Sequence, residues 1–296
     1  MPEEALRVGF VGLGNMGLPM ARRVVEAGFE VMAFDLAPAA RDRASAAAIP
    51  VGDSLEEVAR CARVLALMLP GSSAVEEVVR AEGVLASTAP DGLVIDLSSS
   101  EPMRTRELAD EVRRAQRRML DAPVSGGVRG AEAGKLTVMV GGSPVDRDEA
   151  QPFLEVFGRV VHAGEVGAGH AVKALNNLMS AAHLWATSEA VLAGRRFGVE
   201  PEVLLEIVNG SSGRSGSTET KWPSFILPGT FDSGVALALM VKDMKIAVQL
   251  AESAGAFAER GEKPVALWER GAAELPPGAD HTEVARWLEQ QVPSNA

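Results

Sequence analysis

The chain has 296 residues, 47% of them hydrophobic and 23% charged, a composition that suits a globular protein with room for two domains. Twenty-nine basic residues against 40 acidic ones leave a formal net charge of −11, which speaks against a nucleic-acid partner. No apolar run reaches the ~18 residues of a membrane span and no basic-then-apolar signal opens the chain, so the expectation is a cytoplasmic protein without a membrane partner. The lone Cys61 excludes an internal disulfide and a cysteine-rich zinc site, and reads as a small buried side chain.

The first strand candidate, Leu6 to Val11, runs into Gly12-Leu13-Gly14-Asn15-Met16-Gly17. That order predicts a strand, a tight turn and a helix start. Gly12 permits the turn, Gly14 lets the backbone approach a pyrophosphate, and Gly17 lets the helix pack on its strand. The helix N–H groups then face an anion. Gly28 stops this helix, and Val31 to Phe34 forms the next strand, ending in Asp35. A carboxylate there accepts hydrogen bonds from a ribose hydroxyl and repels a 2′-phosphate, so NAD is expected over NADP. Arg41 and Arg43 keep NADP open, and Asp35 as an ordinary helix or turn start is the other reading.

Further strand candidates are Val64–Leu69, Leu93–Leu97, Met119–Ala122, Leu136–Val140 and Val160–His162, each separated from the next by helical or loop segments. The fold class is α/β: a Rossmann-type, mostly parallel sheet with helices on both faces. Ser54 with Glu57 and Ser73 with Glu76 read as capping boxes. Leu69-Pro70 and Ser99 end two strands, on the side where ligands of such sheets collect; plain turn chemistry is the alternative. The basic run Arg113–Arg118 reads as a solvated helix end. In Asp121 to Gly130, Ser125, Gly126 and Gly127 suit either an anion nest for a small carboxylate or a flexible surface loop.

From His170 to Arg196 the pattern predicts one helix of roughly 40 Å, the spine of a second, all-helical domain. The expected boundaries are 1–164 and 165–296. Helical spacing recurs at Pro201–Val208, Leu237–Ala254, Lys263–Glu274 and Thr282–Gln291, with a Gly/Ser-rich loop at 210–217. Lys173 and Asn177 project from one face, one turn apart. Hydride transfer from an alcohol needs a group to take the hydroxyl proton; a lysine whose pKa is lowered by burial does so, and Asn177 would hold the same oxygen. An exposed surface lysine is the plainer alternative. Lys242-Asp243 is either a cofactor contact or a helix-surface pair.

Met16, Met20, Met179, Met240 and Met244 read as adaptable core filling. His162, His170, His183 and His281 show no metal-ligand spacing, so no metal is predicted. The long apolar helix leads to the expectation of a homodimer or homotetramer, the alternative being that the remaining helices cover it fully.

Four ordered motifs together resemble the β-hydroxyacid dehydrogenase family, specifically its 3-hydroxyisobutyrate dehydrogenase branch. They are Gly9 to Ala21, Asp121 to Gly127, Gly167 to Asn177 and Leu239 to Asp243, so the resemblance runs through nearly the whole chain. It implies that Lys173 is catalytic and assisted by Asn177, and that Ser125, Gly126 and Gly127 hold the substrate carboxylate. It further implies that Lys242, Leu69, Pro70 and Ser99 contact the cofactor, and that the loop from Gly210 to Gly229 sets substrate choice, with Arg214 as a carboxylate partner. Arg23, Gly71 and Ser99 depart from the family's usual residues. The expected reaction is NAD-dependent oxidation of a small 3-hydroxy acid bound between the domains. NADPH-dependent reduction of succinic or tartronic semialdehyde, or a non-catalytic dinucleotide-binding module, are the alternatives.

Overall fold

A computed structural model describes residues 6–60, 62–256 and 259–291, so Cys61 lies outside the described residues. The chain divides into two compact units, Met1–Lys173 and Ala174–Ala296. In the first, β1 (Arg7–Val11), β2 (Glu30–Phe34), β3 (Val64–Leu67), β4 (Leu93–Asp96), β5 (Arg118–Asp121), β6 (Val124–Ser125), β7 (Leu136–Gly141) and β8 (Gly158–Gly164) form one sheet. The helices between them are α1 (Gly17–Glu26), α2 (Pro38–Ala46), α3 (Leu55–Arg60), α4 (Ser72–Arg80), α5 (Val84–Ser87), α6 (Pro102–Arg114), α7 (Gly127–Ala133) and α8 (Pro144–Glu155). The order is β2-β1-β3-β4-β5-β7-β6, with β8 on β7; the first five strands are parallel, and β7 is antiparallel to β5 and β6.

The apolar runs are continuous because both faces are covered. Val8, Phe10, Val64, Ala66, Leu93 and Ile95 point into one core. Their neighbours Val11, Leu65, Leu67 and Val94 point into the other. Gly28 sits just past α1 with φ +88°, its N–H bonded to Val25 O, a left-handed helix stop as expected.

The chain order reverses at β1 and β3, and there ligands of such sheets bind, outside the carboxyl ends of the strands. Register sharpens the location. Phe34 pairs with Val11, Val11 with Leu67, Leu67 with Asp96, and Asp96 with Asp121, so five strands end on one row. The residues that follow, Asp35, Gly12, Met68, Leu97 and Ala122, lie along one edge.

Helix α9 (Ala168–Phe197) begins in the first unit and continues through the second. It is followed by α10 (Pro201–Asn209), a π-helix (Ser217–Ile226), α11 (Leu237–Ser253), α12 (Glu259–Glu274), a 3-10 turn (His281–Glu283) and α13 (Val284–Gln291). Trp185, Trp268, Trp287 and Met244 pack at the centre of the second unit. No helix among the described residues is long and apolar enough to cross a membrane.

Several expectations need correcting. Ser54 Oγ does accept from Glu57 N–H at 3.1 Å. Ser73, however, lies inside α4, which begins at Ser72; its hydroxyl accepts from Arg104 and Glu76 pairs with Arg104 and Arg80, so no second capping box forms. Arg117 and Arg118 are not a solvated end. Arg117 binds Thr88, and Arg118 binds Glu149, Asp146 and Asp91 O, tying β5 to its surroundings. The stretch after Asp121 is not a surface loop but β6 and α7. Met20, Met240 and Met244 are buried, whereas Met179 is 59% exposed.

Candidate active site

The three glycines of the first turn are required for different reasons. Gly12 has φ +100°, and a Cβ on it would lie 2.2 Å from Met68 O. On Gly17 it would lie 1.9 Å from Gly12 O. On Gly14 it would meet nothing within 4 Å. The fold itself thus demands Gly12 and Gly17, while the bare backbone at Gly14 opens outward, next to exposed Asn15 and half-buried Met16 at the start of α1. A pyrophosphate needs that surface: short, with helix N–H groups behind it.

Asp35 joins the turn directly. Its Oδ2 accepts from Leu13 N–H at 2.7 Å and its Oδ1 from Ala37 N–H at 2.8 Å. A carboxylate has about four acceptor positions, so these two bonds fix it without exhausting it. The Arg41 guanidinium donates to Asp35 O at 2.6 Å and stacks over Phe34, 5.4 Å from the ring centre. A cation therefore sits at the same strand end, on the main-chain side of the acid.

Beyond β3, Leu69 is half-buried and Pro70 exposed, with Leu69 N–H held by Ser98 Oγ at 2.9 Å. Ser98 is buried and ties the ends of β3 and β4, while the predicted Ser99 beside it is half-exposed. Ser125 ends β6 opposite Thr137; Gly126 (φ +139°) and Gly127 (φ +65°) then turn the chain into α7. A glycine turn opening a helix presents backbone N–H groups to a small anion, although α7 has only seven residues. Arg23, on α1, donates to Val156 O and Glu132 O and so ties α1 to the segments around α7 and α8.

Helix α9 starts at this edge. Asp121 Oδ1 accepts from Gly167 N–H at 2.7 Å and Oδ2 from His170 N–H at 2.8 Å. The His170 ring is buried, with Nε2 at 3.1 Å from Ser98 O and Nδ1 at 2.9 Å from Thr105 Oγ1. Lys173 follows one turn later, half-buried. Asn177 comes a further turn on; its Nδ2 donates to Asp243 Oδ2 at 2.6 Å and its Oδ1 accepts from Asn176 at 3.1 Å. That leaves Asn177 one N–H for another acceptor. Asp243 also faces Lys242 Nζ at 3.3 Å, so Lys242-Asp243 is an ion pair whose acid is turned into the second unit.

Sequence reasoning missed three groups here. Asp121 and His170 fall inside two of the four motifs, but their residue types give them no role there beyond a strand end and a helix start. Lys221 lies in what was expected to be a loop, 210–229, but is π-helical from Ser217 to Ile226. Its Nζ donates to Ser180 Oγ at 2.7 Å, and burial pushes its pKa down to about 8 against the opposing pull of Asp280. Arg214 pairs with Glu219 at 2.7 Å.

A doubly wound sheet, a glycine turn at its switch point and an acid at the next strand end together define a nicotinamide-dinucleotide-binding protein. The comparisons agree. Residues 7–167 match the NAD binding domain of 6-phosphogluconate dehydrogenase, and residues 167–288 match the NAD-binding region of NADP-dependent 3-hydroxyisobutyrate dehydrogenase. The chain is 36% identical to 2-(hydroxymethyl)glutarate dehydrogenase of Eubacterium barkeri, over 83% of either protein. It is 37% identical to the NAD-dependent L-serine dehydrogenase of Pseudomonas aeruginosa, over 88% of this chain and 91% of that one. Its fold superposes on Mycobacterium tuberculosis 3-hydroxyisobutyrate dehydrogenase, solved with L-serine, with a TM-score of 0.90, 33% identity and coverage of 96% and 99%. The chain belongs to the 3-hydroxyisobutyrate dehydrogenase family of NAD-dependent hydroxyacid dehydrogenases.

Proposed function

We propose that this protein oxidises a small 3-hydroxy acid to the corresponding semialdehyde, with Lys173 as proton acceptor. The observation that carries the reading is the start of α9: His170 is fixed among Ser98, Thr105 and Asp121 at the dinucleotide edge, and Lys173 follows within one turn. Bound NAD would supply the hydride acceptor for the carbinol carbon. The Lys173 amine takes the hydroxyl proton as the C–H bond breaks. Asn177, its amide already oriented by Asp243 and Asn176, donates its remaining N–H to the same substrate oxygen. The backbone at Ser125, Gly126 and Gly127 receives the carboxylate, and the bare Gly14 backbone takes the pyrophosphate beside Asn15, Met16 and Leu13. Leu69, Pro70, Ser99 and Lys242 complete the proposed cofactor contacts.

One observation favours running the same groups in reverse, as an NADPH-dependent semialdehyde reductase: the Arg41 guanidinium at Asp35 offers a cation suited to a 2′-phosphate. A kcat/KM for NADPH well above that for NADH would select this direction. The protein is further proposed to assemble as a homodimer or homotetramer, because Val172, Leu175 and Met179 form an exposed apolar stripe along α9 and Ile207 and Phe197 are exposed nearby in sequence.

Lys173→Ala tests the central claim. NADH binding should persist while kcat falls by about 10²- to 10⁴-fold. Turnover at the wild-type rate would remove Lys173 from the reaction.

A further inference from the structure

Asp121 is fully buried at the end of β5, opposite Asp96 on β4 and Gly141 on β7. Both of its oxygens accept backbone N–H groups, from Gly167 just before α9 and from His170 in its first turn. Donors at a helix start have no partner inside the helix, and a carboxylate there also meets the positive end of the helix dipole. Close packing around this acid holds it in place. A Cβ on Gly141 would fall 2.4 Å from Asp121 Oδ1, and one on Gly169 would fall 2.8 Å from Oδ2 and 2.2 Å from Met139 O. Two glycines therefore make room for one carboxylate. The His170 ring closes the cluster against Thr105 of α6 and the Ser98 carbonyl after β4, and Asp96 in turn accepts from Ser98 N–H and Ser100 Oγ.

We infer that Asp121 is a positioning residue for Lys173: by holding the N–H groups of Gly167 and His170 it fixes the first turn of α9, and with it the direction from which the Lys173 amine is presented. The inference rests on the proposed role of Lys173. A displacement of about 1 Å at a reacting group can cost ~10²-fold in rate. One turn of helix separates the anchored His170 from Lys173, so slack in the anchor passes directly to the amine.

The test is Asp121→Asn, which keeps the shape and one accepting oxygen but turns an NH2 toward the second N–H. Relative to wild type, kcat per NADH-binding site should fall about 10- to 100-fold, with KM for NAD changed by less than about threefold, ~0.65 kcal/mol. The primary deuterium isotope effect on kcat should rise, because misplacing the proton acceptor slows the chemical step. Simple loss of folded protein would lower the number of binding sites and leave rate per site and isotope effect alone. Hydrogen exchange at the amides of residues 167–173 should quicken in the variant, a readout that needs no turnover. Thr105→Val, which removes only the hydroxyl against His170, should show the same pattern more weakly and carries the test where Asp121→Asn does not fold. Unchanged rate per site, or a lowered rate with an unchanged isotope effect, overturns the inference, and so does unaltered exchange in the 167–173 amides. If wild-type protein oxidises no 3-hydroxy acid, the proposed reaction fails on its own, and the exchange result still decides whether Asp121 anchors α9.

Discussion

The two units hold their polar groups by different means. In the first, the groups of interest stand one or two residues past a row of strand ends, so the backbone register sets their places: Asp35 after Phe34, Gly12 after Val11, Ser98 two past Asp96. In the second, Lys221, Asp280 and His281 reach one neighbourhood from the π-helix and the approach to α13, held by side-chain hydrogen bonds: Lys221 to Ser180, and Asp280 to Ser233, Thr282 and the N–H groups of Gly234 and Val235. Burial alone would raise the Asp280 pKa, yet hydrogen bonds from His281, Thr282 and Ser233 outweigh it and hold the acid well below the ordinary range. His281 moves down, through burial first and then repulsion from Lys221, against the pull of Asp280. A site built on backbone register tolerates side-chain change but not added bulk at its turns; a cluster built on side-chain hydrogen bonds is sensitive to the side chains themselves.

The largest expected effect exploits that contrast at the glycine turn. Gly17→Ala forces a Cβ to within 1.9 Å of Gly12 O, a backbone atom that cannot swing aside, so stability should fall by about 3 kcal/mol or more. Gly14→Ala adds a Cβ to open space, so urea melts should match wild type while the NADH dissociation constant rises at least about tenfold, ~1.4 kcal/mol. Equal destabilisation by both substitutions would break the distinction between fold-demanded and ligand-demanded glycine. A smaller effect is expected at Asp35. Asp35→Ser keeps a short polar side chain for Leu13 N–H but removes the charge proposed to face the cofactor ribose, with Arg41 left at the strand end. The NADP-to-NAD ratio of kcat/KM should rise about tenfold or more, ~1.4 kcal/mol. An unchanged ratio would mean that the acid serves only the turn.

The same contrast explains what could be read in the sequence. The glycine turn, Asp35, the strand succession and the long helix were legible, since each follows from local periodicity or from a residue with one conformational use. The antiparallel β7 was not, because Leu136 to Gly141 reads as a strand in either direction and only the short β6–α7 return reverses it. Ser73 and Glu76 have capping-box spacing, but Arg104 from α6 competes for both side chains. Nothing local marks Asp121 as a helix anchor either: its partners lie 46 and 49 residues away. The π-helix over Ser217–Ile226 contains Pro223 and several polar residues, which read locally as loop.

Lys221 gives the mildest test, and its sign is diagnostic. Its pKa, lowered from 10.5 to about 8, makes the charged form costlier in the folded than in the unfolded chain by ~3 kcal/mol. The hydrogen bond to Ser180 offsets about 1–2 kcal/mol of this. Lys221→Met keeps the length of the side chain and removes the charge, so below pH 8 the variant should be more stable than wild type by an amount on the order of 1 kcal/mol. The folded chain gives up this proton first, so between about pH 8 and 10.5 the unfolded state binds more protons and wild-type stability rises with pH. Because the stability regained by wild type across that window, about 2–3 kcal/mol, exceeds the ~1 kcal/mol difference, the order of the two proteins should reverse between urea denaturation at pH 7 and at pH 10. Asp280 and His281 face the amine and both proteins retain them; the variant also relieves the repulsion of Lys221 on His281, whose pKa should rise toward its ordinary value. A variant that is less stable at pH 7, by a margin that does not change at pH 10, would show that packing in the second unit has made the buried amine an asset through its bond to Ser180, and the contrast between the units would narrow to one of geometry alone.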